Sequence, residues 1–276
     1  MGVEARIVLC APSVEIAAVA ADAAFLEIER LEQSFSDWRP DSEISQFAER
    51  AGTGPVPVSR DLLDVLRRAR EVSEATDGAF DVTVGPLVQL WRAARRAGAL
   101  PAAEEVARAR ELVGWRLVEI DDHAGTVALA KPGMRLDLGG IGKGYACQRA
   151  LEVLARRGFE SALVQMGGDL VCGAPPPGRA GWEIDSRGER LAFHDCAVAT
   201  SGDTEQHVEI GGVRYSHVVD PRTGLGLTTR TLVTVTASHG ATADAFATAI
   251  GVLGSEALGI DLERSGVTLL RHEPVR

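Results

Sequence analysis

Between Leu136 and Tyr145 the chain reads LDLGGIGKGY, which sets one carboxylate, Asp137, and one amine, Lys143, around five residues that include three glycines. Lacking a Cβ, Gly139, Gly140, Gly142 and Gly144 let the backbone turn sharply and bring its peptide groups close to a phosphate or a metal. Asp137 ends a strand-like run and Lys143 opens a helix-like one, so an anion would find helix N-terminal amides and an ammonium here. The two common phosphate loops are nevertheless excluded. A Walker A loop requires glycine where Asp137 stands and Ser or Thr where Gly144 stands, and GxGxxG requires glycine at Tyr145. Taken alone, the segment is equally a tight strand-to-helix turn with a surface lysine.

With 276 residues, the chain can bury a full core as one large domain or as two fused halves. A net charge of -10 argues against a nucleic-acid partner, whose phosphates call for a basic surface. An anionic ligand would therefore need local help from a metal, Lys143 or helix ends. Lys131 and Lys143 are the only lysines among 29 basic residues, which makes Lys143 stand out. The cysteines, Cys10, Cys147, Cys172 and Cys196, are widely spaced without a CxxC, so they are expected to be free thiols rather than zinc ligands or a disulfide scaffold. No basic start precedes an apolar run, and no stretch has the eighteen or so apolar residues of a membrane span. The chain as given is expected to be cytoplasmic, or extracytoplasmic if a leader has been trimmed.

Apolar spacing predicts a strand over residues 5–10 and helices over 14–31, 59–74, 101–113, 144–157 and 242–253, with a short helix capped by Asp41 or Ser42. TDGAFDVTVGPLVQLW is a loop until Pro86. Alternation predicts strands at 115–120, 126–130, 134–138 and 161–165, then several short ones, with Gly211-Gly212 as a hairpin turn and 232–237 as the last strong strand. Hairpins outnumber clean βαβ units, so the fold class is α+β with antiparallel sheet.

Four further segments join small residues to carboxylates or hydroxyls: GAFD (78–81), MGGD (166–169), ATSGD (199–203), and the pair SHVVDPRTG with ADAFAT. In the last, Asp244 and Thr248 lie four apart on one helix and share a face, a hard oxygen pair suited to Mg²⁺. The alternative is that Thr248 bonds its own helix backbone while Asp244 caps or faces water. His217, between a strand-like run and the turn Asp220-Pro221-Arg222-Thr223-Gly224, can serve as general base near neutrality, or be simply packed or solvated.

Taken in order, PDSEIS, TDGAFDVTVGPLVQLW, LDLGGIGKGY, LVQMGGDL, AVATSGD, RYSHVVDPRTG and ADAFATAIGVLG resemble the FAD:protein FMN transferases, the ApbE family, over nearly the whole chain. The resemblance implies one T-fold-like α+β domain over 1–276, built from two similar subdomains with antiparallel sheets flanked by helices. It also implies Mg²⁺-dependent transfer of FMN from FAD to a Ser or Thr hydroxyl of a target protein, with release of AMP. By matching positions, FAD contacts would come from Met1, Trp38, Ala79, Phe80, Asp81, Asp137, Lys143 and Val219. Metal ligands would be the side chains of Asp244 and Thr248 and the backbone oxygens of Gly140 and Ala247. His217 would take the proton of the attacking hydroxyl, with Asp244 the other catalytic residue, and a Thr200-Ser201-Gly202 turn would add hydrogen bonds. Gln148, Gln165 and Val3 depart from the family pattern and bear on FAD binding or substrate choice. Hydrolysis of FAD to FMN and AMP at the same site, and flavin binding without catalysis, are the alternative activities.

Overall fold

The computed structural model describes residues 2–186, 189–202 and 207–274. Met1 and Asp203 lie outside the described residues. The chain opens with β1 (Ala5–Leu9) and the long helix α1 (Val14–Phe35). The short helix α2 (Glu43–Glu49), strand β2 (Val56–Pro57), and helices α3 (Arg60–Ala75), α4 (Gly85–Ala97) and α5 (Ala103–Arg110) follow. Next come β3 (Val118–Asp121), β4 (Thr126–Leu129), α6 (Gly142–Arg156), β5 (Ala162–Met166) and β6 (Asp169–Cys172). The hairpin β7 (Trp182–Ser186) and β8 (Glu189–Phe193) precedes β9 (Cys196–Gly202), which leads to β10 (His207–Ile210) and β11 (Val213–Ser216). Strand β12 (Thr231–Ala237), helix α7 (Gly240–Leu253) and strand β13 (Val267–Pro274) complete the fold.

Six strands form the main sheet in the order β1-β5-β6-β9-β12-β13, every neighbouring pair antiparallel. Side-chain alternation gives this sheet two apolar faces. Val164, Val171, Ala197, Ala199, Val233 and Val235 join the large core with α1, α6 and α7, whereas Leu163, Leu170, Cys172 and Val198 pack against Trp182 of the β7–β8 hairpin. A smaller sheet, β2-β4-β3, adds Val127 and Leu129 to the large core. A third cluster, Leu87, Trp91, Val106 and Val219, fastens α4 and α5 to the segment after β11. Among the described residues no helix is long and apolar enough to cross a membrane.

Serine caps explain three helix starts: the hydroxyls of Ser13, Ser42 and Ser59 accept from the amides of Ile16, Ser45 and Leu62. α4 lacks such a cap and begins instead with Pro86 in its first turn, ending at Gly98 in the left-handed conformation.

Four expectations need correction. Residues 134–138 are not a strand. Met134, Leu136 and Leu138 are buried in alternation, but among the described residues the segment joins no ladder: it makes an isolated parallel bridge from Arg135 to Val84 and a bond from the Asp137 amide to the Val82 carbonyl (2.7 Å). Residues 115–117 form a single 3₁₀ turn ahead of β3. Strand 232–237 is not the last, since β13 pairs along it as the sheet edge. Thr200, Ser201 and Gly202 belong to β9 and pair with Thr234, Val233 and Leu232, so they are sheet residues rather than a turn.

Candidate functional site

The site is built where the N-terminal ends of α6 and α7 cross. A Cβ on Gly144 would lie 2.1 Å from the Gly240 carbonyl oxygen, and one on Gly240 would lie 2.0 Å from that of Gly144. Only two glycines allow the helix backbones to approach this closely. The crossing is tied by polar bonds. The Gly144 amide donates to Asp244 Oδ2 (3.1 Å), the Gly240 amide donates to Gln148 Oε1 (3.3 Å), and the half-buried His239 caps α7 by accepting from the Ala241 amide (3.2 Å). Gln148 thus holds the start of α7.

Lys143 points into this crossing. Its ammonium donates to the Gly139 carbonyl (2.7 Å) and to both oxygens of Asp244 (3.2 Å each), and lies 3.2 Å from Asp169 Oδ2. Burial works against the charged ammonium, but the carboxylates of Asp169 and Asp244 outweigh it and hold Lys143 protonated well above the usual lysine range. Asp169 is nearly fully buried at the start of β6. Burial first, and the neighbouring Asp244 charge second, push its carboxyl well above the usual carboxylate range. Its Oδ2 accepts no directed hydrogen bond. Two carboxylates around one ammonium leave a negative excess in a buried place, which a proton or a cation must balance.

Thr248 stands one turn beyond Asp244 on α7 and faces the glycine loop. A Cβ on Gly140 would lie 3.0 Å from Thr248 Oγ1 and 3.3 Å from the Phe80 ring. The structure therefore brings Gly140, Lys143, Asp244 and Thr248 together, and Ala247 is buried on the same helix. Carboxylate, hydroxyl and carbonyl oxygens are a hard donor set, and the unbonded Asp169 oxygen adds negative charge beside it, so the residues fit Mg²⁺.

The loop of residues 78–84 closes the next side. Ala79, Phe80 and Asp81 are buried. Both oxygens of Asp81 are engaged locally: Oδ1 accepts from the Thr83 amide and hydroxyl (2.8 and 2.6 Å), and Oδ2 from the Trp115 amide (2.8 Å). Its carboxylate thus folds the loop, while burial pushes it upward in pKa. Asp137 Oδ1 accepts from the Gly139 amide (2.8 Å), shaping the entry to the glycine loop, and Oδ2 accepts from Arg92 (3.4 Å). Burial and the nearby Asp37 raise the Asp137 carboxyl.

Trp38 is 69% exposed, with the Arg92 guanidinium stacked 4.1 Å from its ring centroid. Arg92 is also bound to Asp37, so one indole face is covered and the other is open. The Val219 side chain packs with Leu87, Trp91 and Val106, and the residue forms an isolated antiparallel bridge with Gly226.

His217 is an exposed residue in the bend that follows β11. Its neighbours are fixed on both sides. The Ser216 amide donates to the Leu227 carbonyl (2.7 Å) and the Val218 amide donates to Ser216 Oγ (3.1 Å). Farther along, the Trp91 indole N–H donates to the Gly224 carbonyl (2.8 Å). Ser201, Ser216, Val218, Thr229 and Thr248 line one crevice, so the His217 bend and the Thr248 helix share a wall.

Three residues of this site escape a sequence reading. Asp169 lies in a motif visible by composition, yet its pairing with Lys143 spans two elements. Arg92 is one of three arginines on α4 and carries no distinguishing pattern. Gly240 becomes meaningful only opposite Gly144.

Fold and site together define an α+β protein with an ammonium, carboxylate and hydroxyl centre at a glycine-lined helix crossing, suited to a phosphate-bearing ligand and a hard cation. The model of the ApbE family matches residues 1–268, and the chain belongs to that family. It is 34% identical over 241 residues to the FAD:protein FMN transferase of Vibrio cholerae, covering 83% of this chain and 72% of that one. The same identity over 270 residues relates it to the FAD:protein FMN transferase of Treponema pallidum, covering 89% and 74%. The crystal structure of the ApbE protein from Thermotoga maritima superposes with a TM-score of 0.86 at 31% identity, covering 100% of this chain and 94% of that one.

Proposed function

We propose that this protein transfers FMN from FAD to the hydroxyl of a Ser or Thr residue in an acceptor protein and releases AMP. Family membership and the shared name of its relatives support a flavin transferase. The observation that carries the finer reading is the meeting of Gly140, Lys143, Asp244 and Thr248 at the α6–α7 crossing. A dinucleotide pyrophosphate needs this combination of cation, ammonium and backbone at one place.

In this reading the side chains of Asp244 and Thr248 and the carbonyls of Gly140 and Ala247 hold Mg²⁺, which when bound neutralises pyrophosphate charge. Lys143 donates to the bridging or non-bridging phosphate oxygens, and Asp169 keeps its ammonium charged and aimed. The acceptor hydroxyl attacks the FMN-side phosphorus, its proton passes to His217, and the bond from that phosphorus to the AMP phosphate breaks. The open face of Trp38 receives the isoalloxazine, and Phe80 with the Asp137 turn borders it. The test is to incubate the protein with FAD, Mg²⁺ and a domain bearing a Ser/Thr acceptor site, and to follow flavin fluorescence on a denaturing gel. Acceptor-dependent covalent flavin, lost with EDTA, is expected. Free FMN alone would make the protein a hydrolase, and no turnover would make it a flavin-binding protein.

A further inference from the structure

Cys172 at the end of β6 and Cys196 at the start of β9 stand directly opposite each other in the antiparallel register, 24 residues apart in sequence. Their sulfurs are 3.9 Å apart. Facing residues of an antiparallel pair have Cα atoms about 4.5 or 5.5 Å apart, and both spacings lie within the range that a disulfide spans. The backbone is thus already placed for a bond, and side-chain rotation has only to bring the sulfurs about 2 Å closer.

The two thiols differ in setting. Cys172 is buried among Leu163, Leu170, Trp182 and Val198, whereas Cys196 is only half-buried at the root of the β7–β8 hairpin. A hydrogen bond joins the two thiols and either sulfur can be its donor; donation from Cys172 favours a thiolate on Cys196 and lowers its pKa, against burial, and raises that of Cys172. His194 also favours that thiolate, and Asp195 opposes it. Cys10 is exposed just after β1, and Cys147 is buried on α6.

We propose that Cys172 and Cys196 form a modification site, a cross-strand dithiol that a low-molecular-weight disulfide of the oxidised-glutathione class converts into an intramolecular disulfide. The Cys196 thiolate attacks one sulfur of the reagent, forming a mixed disulfide and releasing one reagent thiolate, which takes up a proton. Cys172 then loses its proton and attacks Cys196 Sγ, displacing the second reagent thiol. Two protein thiols are oxidised by two electrons, and the reagent disulfide is reduced to two thiols that carry the protons. The new bond closes residues 173–195, the hairpin included, into a loop. The phosphate-site ends of the same strands, Asp169 and Thr200, lie three to four residues away, roughly 10–14 Å along the sheet, so the bond stabilises the sheet without touching the site.

The experiment equilibrates the purified protein with oxidised glutathione, then measures intact mass, thiol count after denaturation, linked peptides and thermal unfolding. The expected result is loss of two hydrogens, a Cys172–Cys196 peptide link, and a Tm raised by roughly 5–10 °C that dithiothreitol reverses. Cys10→Ala is expected to keep the link and Cys196→Ala to lose it. A wild-type protein that retains all its thiols, stops at a glutathione adduct, or links through Cys10 or Cys147 would overturn the proposal. These mass readouts on the wild type hold even if Cys196→Ala fails to fold.

Discussion

Asp244 makes contact with both Lys143 and the Gly144 amide, yet Lys143 keeps a second carboxylate in Asp169. Replacing Asp244 by alanine therefore removes a proposed metal ligand without orphaning the half-buried ammonium. The expected outcome is a folded protein whose Mg²⁺-dependent turnover of FAD falls at least about a thousandfold. Circular dichroism and AMP release check the two halves, and near-normal turnover would sink the metal assignment. Asp169→Asn keeps volume but removes one charge beside the cation. It is expected to shift the Mg²⁺ activation midpoint upward by about 10–100-fold, while an unchanged midpoint would deny Asp169 a positioning role. His217 is exposed and packs in no core cluster, so His217→Ala is expected to retain FAD affinity and to lose transfer by about 10²–10⁴-fold. A loss of FAD affinity with transfer rate intact would make it a binding group.

The residues proposed to carry the chemistry stand out in the sequence because short motifs hold them: Lys143 among glycines, Asp244 and Thr248 one turn apart, His217 before a turn. Arg92 was not, since its bonds to Asp37 and Asp137 and its stack on Trp38 join three separate segments. The same limit hid the use of Asp81. Sequence can mark a carboxylate near a glycine, but only the fold shows both its oxygens spent on Thr83 and Trp115.

At the scale of elements, the α6–α7 crossing governs the site. Adding one methyl group at Gly144 would place a carbon 2.1 Å from a backbone oxygen that cannot move without its helix. Gly144→Ala is expected to destabilise the protein by about 3 kcal/mol, in the range of overpacked cores, and to impair Mg²⁺-dependent turnover. Gly142→Ala provides the control, because a Cβ there meets nothing closer than 3.7 Å. Equal urea midpoints for the two variants would contradict the crossing's role. Helices were well predicted because their apolar spacing and serine caps are local signals. Strand 134–138 was misjudged because burial on alternate positions imitates a strand even when no ladder partner is available. β13 was missed for the converse reason. As an edge strand reading VTLLRHEP it is only partly apolar, and its identity comes from pairing with β12.

Over the whole molecule, acid stability depends on how the crossing is capped. Burial, reinforced by Arg68, holds His239 down to about 4 from its ordinary 6.5, so the folded protein keeps it neutral where the unfolded chain would protonate it. Between those two values the unfolded state binds more protons. His239 therefore gives its full contribution above pH 6.5, and that contribution is lost as pH falls toward 4, on the order of 3 kcal/mol in all. Asp169, with a raised carboxyl, acts in the opposite sense. Comparison with His239→Asn, whose side chain can still cap α7, isolates the histidine. The variant is expected to lose less stability than the wild type between pH 7 and pH 4.5 in urea unfolding, and parallel losses would contradict this account.

The α+β class with antiparallel sheet could be read from the run of hairpins, whereas the strand order could not, because β1 joins the sheet beside β5 across more than half the chain. The central claim is that the bond broken in FAD is replaced by one to protein. The most direct measurement is the ratio of AMP released to flavin bound covalently on an acceptor domain, with intact mass reporting the adduct. A ratio near one, with an adduct of one FMN less water on a Ser or Thr, is the predicted result. AMP in large excess over bound flavin, or AMP with free FMN only, would contradict transfer and assign the site to hydrolysis.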